Sequence, residues 1–172
     1  MIIWLNGPFG AGKSTTTRQL VDEGSFTMFD AEEVGYMLQR AISPELAGDD
    51  FQELPAWRHL VVESLSEVSK AVDTDIVVPQ TVLVREYWDE IADGLTARGL
   101  DCRAFTLHVD SEEHARRIDE DALEADGAEW RHRRRPDYDA ALSWLTDATT
   151  VIDTTGVAPS TVTSLVLASS RT

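Results

Sequence analysis

The chain has 172 residues, of which 42% are hydrophobic and 27% charged, enough apolar material for one core and too much for a disordered chain. A net charge of −16 repels long nucleic acids, and no apolar run reaches the ~18 residues of a membrane span. The single cysteine, Cys102, excludes an internal disulfide and fits a reducing, cytoplasmic setting.

In chain order, strand-like and helix-like segments alternate. Ile2 to Leu5 reads as a short apolar strand, without the basic region or cleavage site of a signal peptide. A helix is expected over Lys13 to Asp22, a second strand over Ser25 to Phe29, and a helix over Ala31 to Ile42. Ser43 to Leu54, with Pro44 and Gly48, reads as a loop. Trp57 to Val72 is the clearest amphipathic helix, with Trp57, Leu60, Val61, Leu65, Val68 and Val72 on one face. Ile76 to Val78 is a strand stopped by Pro79, and Arg85 to Arg98 a helix closed by Gly99. Cys102 to Val109 is a strand, with Asp110 or Ser111 capping the helix after it. Pro136 precedes a further helix, Thr150 to Ile152 is the last strand, and Ser160 to Ala168 the last helix. Such alternation implies parallel pairing through right-handed crossovers. The expected fold is a three-layer α/β/α sandwich with a five-stranded parallel sheet, in one domain over residues 1–172.

The stretch Gly7-Pro8-Phe9-Gly10-Ala11-Gly12-Lys13-Ser14 satisfies G-x-x-x-x-G-K-[ST] and lies between a predicted strand and a predicted helix, as a phosphate-binding P-loop requires. Glycines let consecutive N–H groups point inward, and the helix start adds about half a positive charge. In that chemistry Lys13 reaches the β- and γ-phosphates of ATP or GTP and the Ser14 hydroxyl ligates Mg²⁺, with Thr15 completing the loop.

Other residues narrow the class. The base-reading Asn-Lys-x-Asp of switch GTPases is absent, and the third strand ends Pro79-Gln80-Thr81 without the carboxylate that large ATPases carry. Small-molecule kinases instead place a carboxylate after strand two and an arginine-rich lid late in the chain. Asp30 occupies the first position, where it is expected to face the cleft and orient or deprotonate an acceptor hydroxyl, or hold a Mg²⁺ water. Asp30-Ala-Glu-Glu33 is equally a helix-capping box, so one residue can do both jobs; Glu32 and Glu33 are lesser candidates. Six arginines, Arg116, Arg117, Arg131, Arg133, Arg134 and Arg135, crowd one stretch of a chain with only two lysines. They suggest a lid over about residues 117–136, in which some arginines neutralise phosphoryl charge and the rest pair with nearby acids.

Together with Asn6, the P-loop continues into Phe29-Asp30-Ala31-Glu32-Glu33-Val34-Gly35, Asp50-Phe51-Gln52-Glu53-Leu54-Pro55-Ala56-Trp57-Arg58, Val77-Val78-Pro79-Gln80-Thr81 and Val151-Ile152-Asp153-Thr154-Thr155-Gly156. In these segments the chain resembles the tunicamycin-resistance family of P-loop proteins, itself similar to chloramphenicol phosphotransferase, shikimate kinase and adenylate kinase. Gln80 stands where that pattern has methionine, and Arg117 is followed by Asp121 rather than by a second arginine four residues on. The resemblance implies strand order 2-3-1-4-5, ATP binding, and phosphorylation or sequestration of a nucleoside-type antibiotic such as tunicamycin. It also implies that the turn carrying Thr155 and Gly156 approaches the adenine.

The expected site is therefore Gly7 to Thr15 with Arg117, Thr155 and Gly156 for ATP and Mg²⁺, and Lys13, Asp30, Arg117 and Arg131 for catalysis. Asp30, Glu33, Phe51, Gln52, Trp57, Arg58, Gln80 and Thr81 are the expected set toward a small-molecule hydroxyl acceptor. For Trp57, stacking on the acceptor and packing in the core remain open alternatives. The four histidines lack metal-ligand spacing. A phosphotransferase is the first expectation, as monomer or homodimer; a binding protein that sequesters a drug and a metabolic nucleoside kinase are the alternatives.

Overall fold

Strand β1 (Ile2–Asn6) is buried along its whole length, because it is the centre of a parallel sheet covered on both faces. The structure, a computed structural model, describes residues 1–43, 48, 50–121 and 127–171. Around β1 stand β2 (Phe26–Met28), β3 (Asp75–Pro79), β4 (Cys102–His108) and β5 (Thr150–Asp153), all parallel, in the order β2-β3-β1-β4-β5. The helices are α1 (Lys13–Asp22), α2 (Ala31–Ala41), α3 (Pro55–Ala71), α4 (Arg85–Ala97), α5 (Ser111–Asp119), α6 (Ala128–Arg133), α7 (Arg135–Ala148) and α8 (Pro159–Ser170), with a 3₁₀ turn over Phe51–Glu53.

Alternation along the strands divides the core. Ile2, Trp4, Ile76 and Val78 face α3 and α4, where they meet Trp57, Val61, Leu65, Trp88, Ile91 and Leu95. Ile3, Leu5, Val77, Phe105 and Leu107 face the opposite way, toward Leu20 of α1 and Val162 and Val166 of α8. Tyr138, Ala141 and Leu145 of α7 form a smaller third cluster with Leu83, Leu142 and Trp144. The expected α/β/α sandwich and its strand order are those observed.

The expected elements all form, with ends shifted by a few residues where local signals were weak. Strand β2 is shorter than expected, and α7 begins at Arg135, so that Pro136 lies in its first turn, where a missing N–H costs nothing. The loop over Ser43 to Leu54 contains the 3₁₀ turn, whose N-terminal N–H (Gln52) is capped by the Asp50 carboxylate at 2.9 Å; residues 44–47 and 49 lie outside the described residues. The stretch expected as a lid contains the short helix α6, not anticipated from sequence, while residues 122–126 lie outside the described residues.

Candidate nucleotide and acceptor site

Asn6, at the end of β1, positions the P-loop. Its buried amide donates to the Val82 carbonyl at 2.8 Å and accepts from the N–H groups of Gly7 (2.8 Å) and Val82 (3.1 Å). One side chain thus pins the loop to the segment following β3. Gly7 follows at φ 132°, and a Cβ there would collide with the Leu107 carbonyl of β4, so only glycine fits. Helix α1 begins at Lys13 with no side-chain cap and no acid in its first turn. Its first N–H groups and the positive end of its dipole are therefore available to an anion. Asn6 was overlooked as a site residue by motif reading; its signal was the polar side chain at the end of an otherwise apolar strand.

Lys13 is half-buried and donates to the carbonyls of Gly7 and Pro8, each at 2.9 Å, with the Phe9 ring 5.5 Å away. Burial lowers its pKa from 10.5 to about 8, and the Glu32 carboxylate partly opposes that. An ammonium so poorly solvated gains strongly from polyphosphate. Ser14 and Thr15 are exposed at the start of α1.

On the β4–β5 side of the loop a cleft of about 510 Å³ is lined by Gly10–Gly12, Thr15, Arg117 and the segment around Gly156–Pro159. Arg117 is held there by Glu113 at 2.9 Å and by the hydroxyl (3.1 Å) and carbonyl (2.6 Å) of Thr154. Glu113 also takes two hydrogen bonds from Arg116, and the two arginines hold its carboxyl down to about 2. Buried Thr154 donates to the His108 carbonyl at 2.9 Å and reaches Ala11 of the loop at 3.4 Å. Gly156 lines the cleft, whereas the Thr155 hydroxyl accepts the Asp110 N–H at 3.0 Å. The volume and the glycine-rich wall fit a nucleoside beside the phosphate cradle.

The opposite side of the loop, over the ends of β2 and β3, is built from side chains. Thr81 donates to the Gly7 carbonyl at 2.8 Å, and Gln52 donates to the Thr81 carbonyl at 3.0 Å. Gln80 is buried, its amide 3.2 Å from the same carbonyl. Phe51 is half-buried and packs edge-on to Tyr36, with ring centres 6.1 Å apart. The exposed Asp30 carboxylate accepts the Glu32 N–H at 3.0 Å as the N-cap of α2, and Glu33 is exposed one turn on.

Three expected site residues sit otherwise than the sequence suggested. Trp57 is fully buried and donates its indole N–H to the Ala31 carbonyl at 2.9 Å, so the core alternative holds and no ring face remains for an acceptor. Arg58 is also buried; it pairs with Glu90 at 2.6 Å, donates to the Gln52 carbonyl and stacks on Tyr87, which makes it a brace behind the 3₁₀ turn. Arg131, expected to neutralise phosphoryl charge from the lid, is 3% exposed and bridged to Asp121 at 2.9 Å. Near it, Trp130 meets Phe9 of the P-loop edge-on at 4.7 Å, and Arg134 reaches Asp50 at 3.7 Å and Asp137 at 3.2 Å. Among the described residues, no cluster of three or more histidine, cysteine or acidic residues could hold a metal ion.

A central parallel strand, a glycine-built anion cradle with its lysine, and a cleft beside it define a P-loop kinase-like domain. The chain belongs to the AAA domain family, whose model matches residues 2–135. It is similar to the tunicamycin resistance protein of Deinococcus radiodurans, at 28% identity over 98% of this chain and 94% of that one, with a TM-score of 0.73. The same fold recurs in a sugar kinase from Janibacter sp. HTCC2649 (17% identity, 97% and 92% covered, TM-score 0.61). It recurs again in a gluconokinase from Sinorhizobium meliloti 1021 (16% identity, 96% and 89% covered, TM-score 0.57). No curated protein sequence matches the chain.

Proposed function

We propose that this protein is an ATP-dependent phosphotransferase that moves the γ-phosphate to a hydroxyl of a small molecule. The observation that carries this reading is Lys13, half-buried at the P-loop between a nucleoside-sized cleft on one side and an acid- and amide-bearing face on the other. A hydrolase needs only the first of these sides; group transfer to an acceptor needs both.

In this reading the loop amides and Lys13 hold the β- and γ-phosphates, the Ser14 hydroxyl joins the Mg²⁺ that accompanies ATP, and Arg117 neutralises charge beside the nucleotide. The acids opening α2 face the acceptor, and Phe51, Gln52, Gln80 and Thr81 shape its pocket. Similarity to the Deinococcus protein favours a nucleoside-type antibiotic such as tunicamycin as the acceptor and resistance as the outcome. The reaction fits a cytoplasmic protein that acts as monomer or homodimer.

One observation favours a second reading, sequestration of a drug without turnover: β3 ends at Pro79 and runs into Gln80, with no carboxylate there to manage Mg²⁺ or its waters. The test is incubation with γ-labelled ATP and a panel holding tunicamycin, free nucleosides and simple sugars. Label in an acceptor supports the transferase, and label in a free nucleoside alone points to a metabolic nucleoside kinase. Tight ATP and drug binding with neither ADP nor labelled product contradicts transfer and favours sequestration.

A further inference from the structure

The P-loop holds one peptide unit that its own sequence leaves free to turn over. Pro8 to Ala11 form a β-turn, closed by the Ala11 N–H donating to the Pro8 carbonyl at 3.2 Å. Gly10, the third residue of the turn, lies at φ 80°, while Phe9 before it stays outside the left-handed region. That combination is a type II turn. Rotating the Phe9–Gly10 peptide alone gives type I, in which Gly10 would take a φ of about −90°. Glycine accepts either sign of φ at little cost, so Gly10 does not choose between the two. The choice matters for phosphate. In a planar trans peptide the N–H and the C=O point in opposite directions, so one form of the turn offers an anion the Gly10 N–H and the other offers it the Phe9 oxygen.

Helix α5 stands against this peptide. A Cβ on Gly10 would lie 3.4 Å from the Ile118 side chain and 3.9 Å from that of Arg117. One turn earlier on the same face is His114, 2% exposed, which hydrogen-bonds the Phe9 backbone. That bond favours the protonated ring, so the ring donates and the Phe9 carbonyl accepts. Nε2 is buried without a partner, which leaves Nδ1 as the nitrogen engaged. Burial and the Arg135 guanidinium of α7, with a smaller push from His132 of α6, hold the ring below its ordinary pKa, against the Phe9 carbonyl and Asp139 of α7. A neutral imidazole has one N–H to give, and it goes to the P-loop.

We infer that His114 is a positioning residue for the phosphate cradle: from α5 it holds the Phe9 carbonyl outward, which keeps the Gly10 N–H turned into the loop, toward the phosphates. The inference needs nucleotide binding at the P-loop and not transfer to an acceptor, so it holds for a transferase and for a sequestering protein alike. Without the imidazole donor the outward carbonyl is buried with no partner, and the turned-over peptide is favoured. The loop then presents an oxygen to the phosphates and must turn back before it can bind them, which lowers the apparent affinity. The buried face of α5, His114 with Ile118, thus sets the loop that the Arg117 side of the same helix flanks.

The test compares His114→Phe with His114→Asn by calorimetric titration of a non-hydrolysable ATP analogue with Mg²⁺, alongside melting temperature. Phenylalanine keeps a ring in the buried site and loses the donor. Asparagine gives up most of the ring and keeps an amide nitrogen near the Nδ1 position. His114→Phe is expected to bind the analogue about fivefold or more weakly than the wild type, the effect of a buried carbonyl left without its partner. His114→Asn is expected to melt lower than His114→Phe and yet to bind the analogue more tightly. A merely structural histidine would put both losses in one order, the variant that melts lower binding more weakly. Affinity in His114→Phe within about twofold of the wild type, or His114→Asn binding no better than His114→Phe, overturns the assignment. Should His114→Phe not fold, nitrogen–proton correlation spectra of the wild type decide. His114 is expected as the neutral tautomer with its proton on Nδ1, and a proton on Nε2 overturns the inference. A wild type that binds no nucleotide overturns the P-loop reading itself, and this inference with it.

Discussion

The two sides of the P-loop are made of different material. The nucleotide side is mostly backbone: glycine amides, the uncapped start of α1, the Thr154 carbonyl, and the turn from Gly156 to Pro159. The acceptor side is mostly side chains relayed through one another, from Glu32 and Tyr36 through Phe51 and Gln52 to Thr81. A backbone site is rigid and indifferent to most substitutions, which suits a shared co-substrate. A relayed side-chain site changes its shape when one member changes, which suits an acceptor that differs between relatives.

The largest way to break this comparison is to remove the one side chain both halves use. Lys13→Ala is expected to weaken ATP binding and to lower activity by about 100-fold or more, measured by calorimetric titration and ADP release. The fold should survive. Burial holds Lys13 near pKa 8 rather than 10.5, so its charged form is disfavoured in the folded chain. That cost is fully present below about pH 8, fades as pH rises toward 10.5, and is removed by the substitution. A falling melting temperature at neutral pH would contradict this.

Next in size is Asn6→Ala. It leaves the Gly7 N–H and both backbone groups of Val82 without their buried partner, at about 1–3 kcal/mol for each such group. A loss of about 3 kcal/mol or more in denaturant unfolding is expected, with damage to both halves together. If only acceptor turnover suffers, Asn6 does not anchor the loop.

A third outcome comes from pH. Bound phosphates favour the charged ammonium, so ATP affinity should be flat below about pH 8 and weaken above it, by up to about tenfold per unit. A Lys13→Arg variant, charged throughout, should lack that slope. Affinity that rises with pH would contradict the burial of Lys13.

The smallest effect separates core from pocket. Trp57→Phe loses the hydrogen bond to the Ala31 carbonyl, which should cost about 1 kcal/mol in stability and leave the acceptor KM unchanged. A raised KM at unchanged stability would return Trp57 to the acceptor site.

The same division decides how much was legible beforehand. The P-loop, the strand order and the turn at Gly156 follow from local pattern and from a resemblance carried by contiguous motifs, because the backbone shape they need is encoded where it is used. The acceptor side was legible as a neighbourhood and not as an arrangement. Whether Trp57 stacks on a ligand or packs in the core depends on Ala31, and whether Arg58 is free depends on Glu90, both far along the chain. Arg131 looked like a lid cation because nothing in its spacing shows that Asp121 will claim it. The close seating of Phe51 on α2 depends on Gly35, where a Cβ would overlap the ring, and nothing in the local pattern shows that the two will meet.

The most direct test of a two-sided loop is a crystal structure with Mg²⁺ and a non-hydrolysable ATP analogue. The account expects the phosphates in the Gly7 to Thr15 cradle against Lys13, the base between Arg117 and the Gly156–Pro159 turn, and the space beside Glu32 and Phe51 still open. A base lying against Phe51, or a cradle without phosphate, would contradict it.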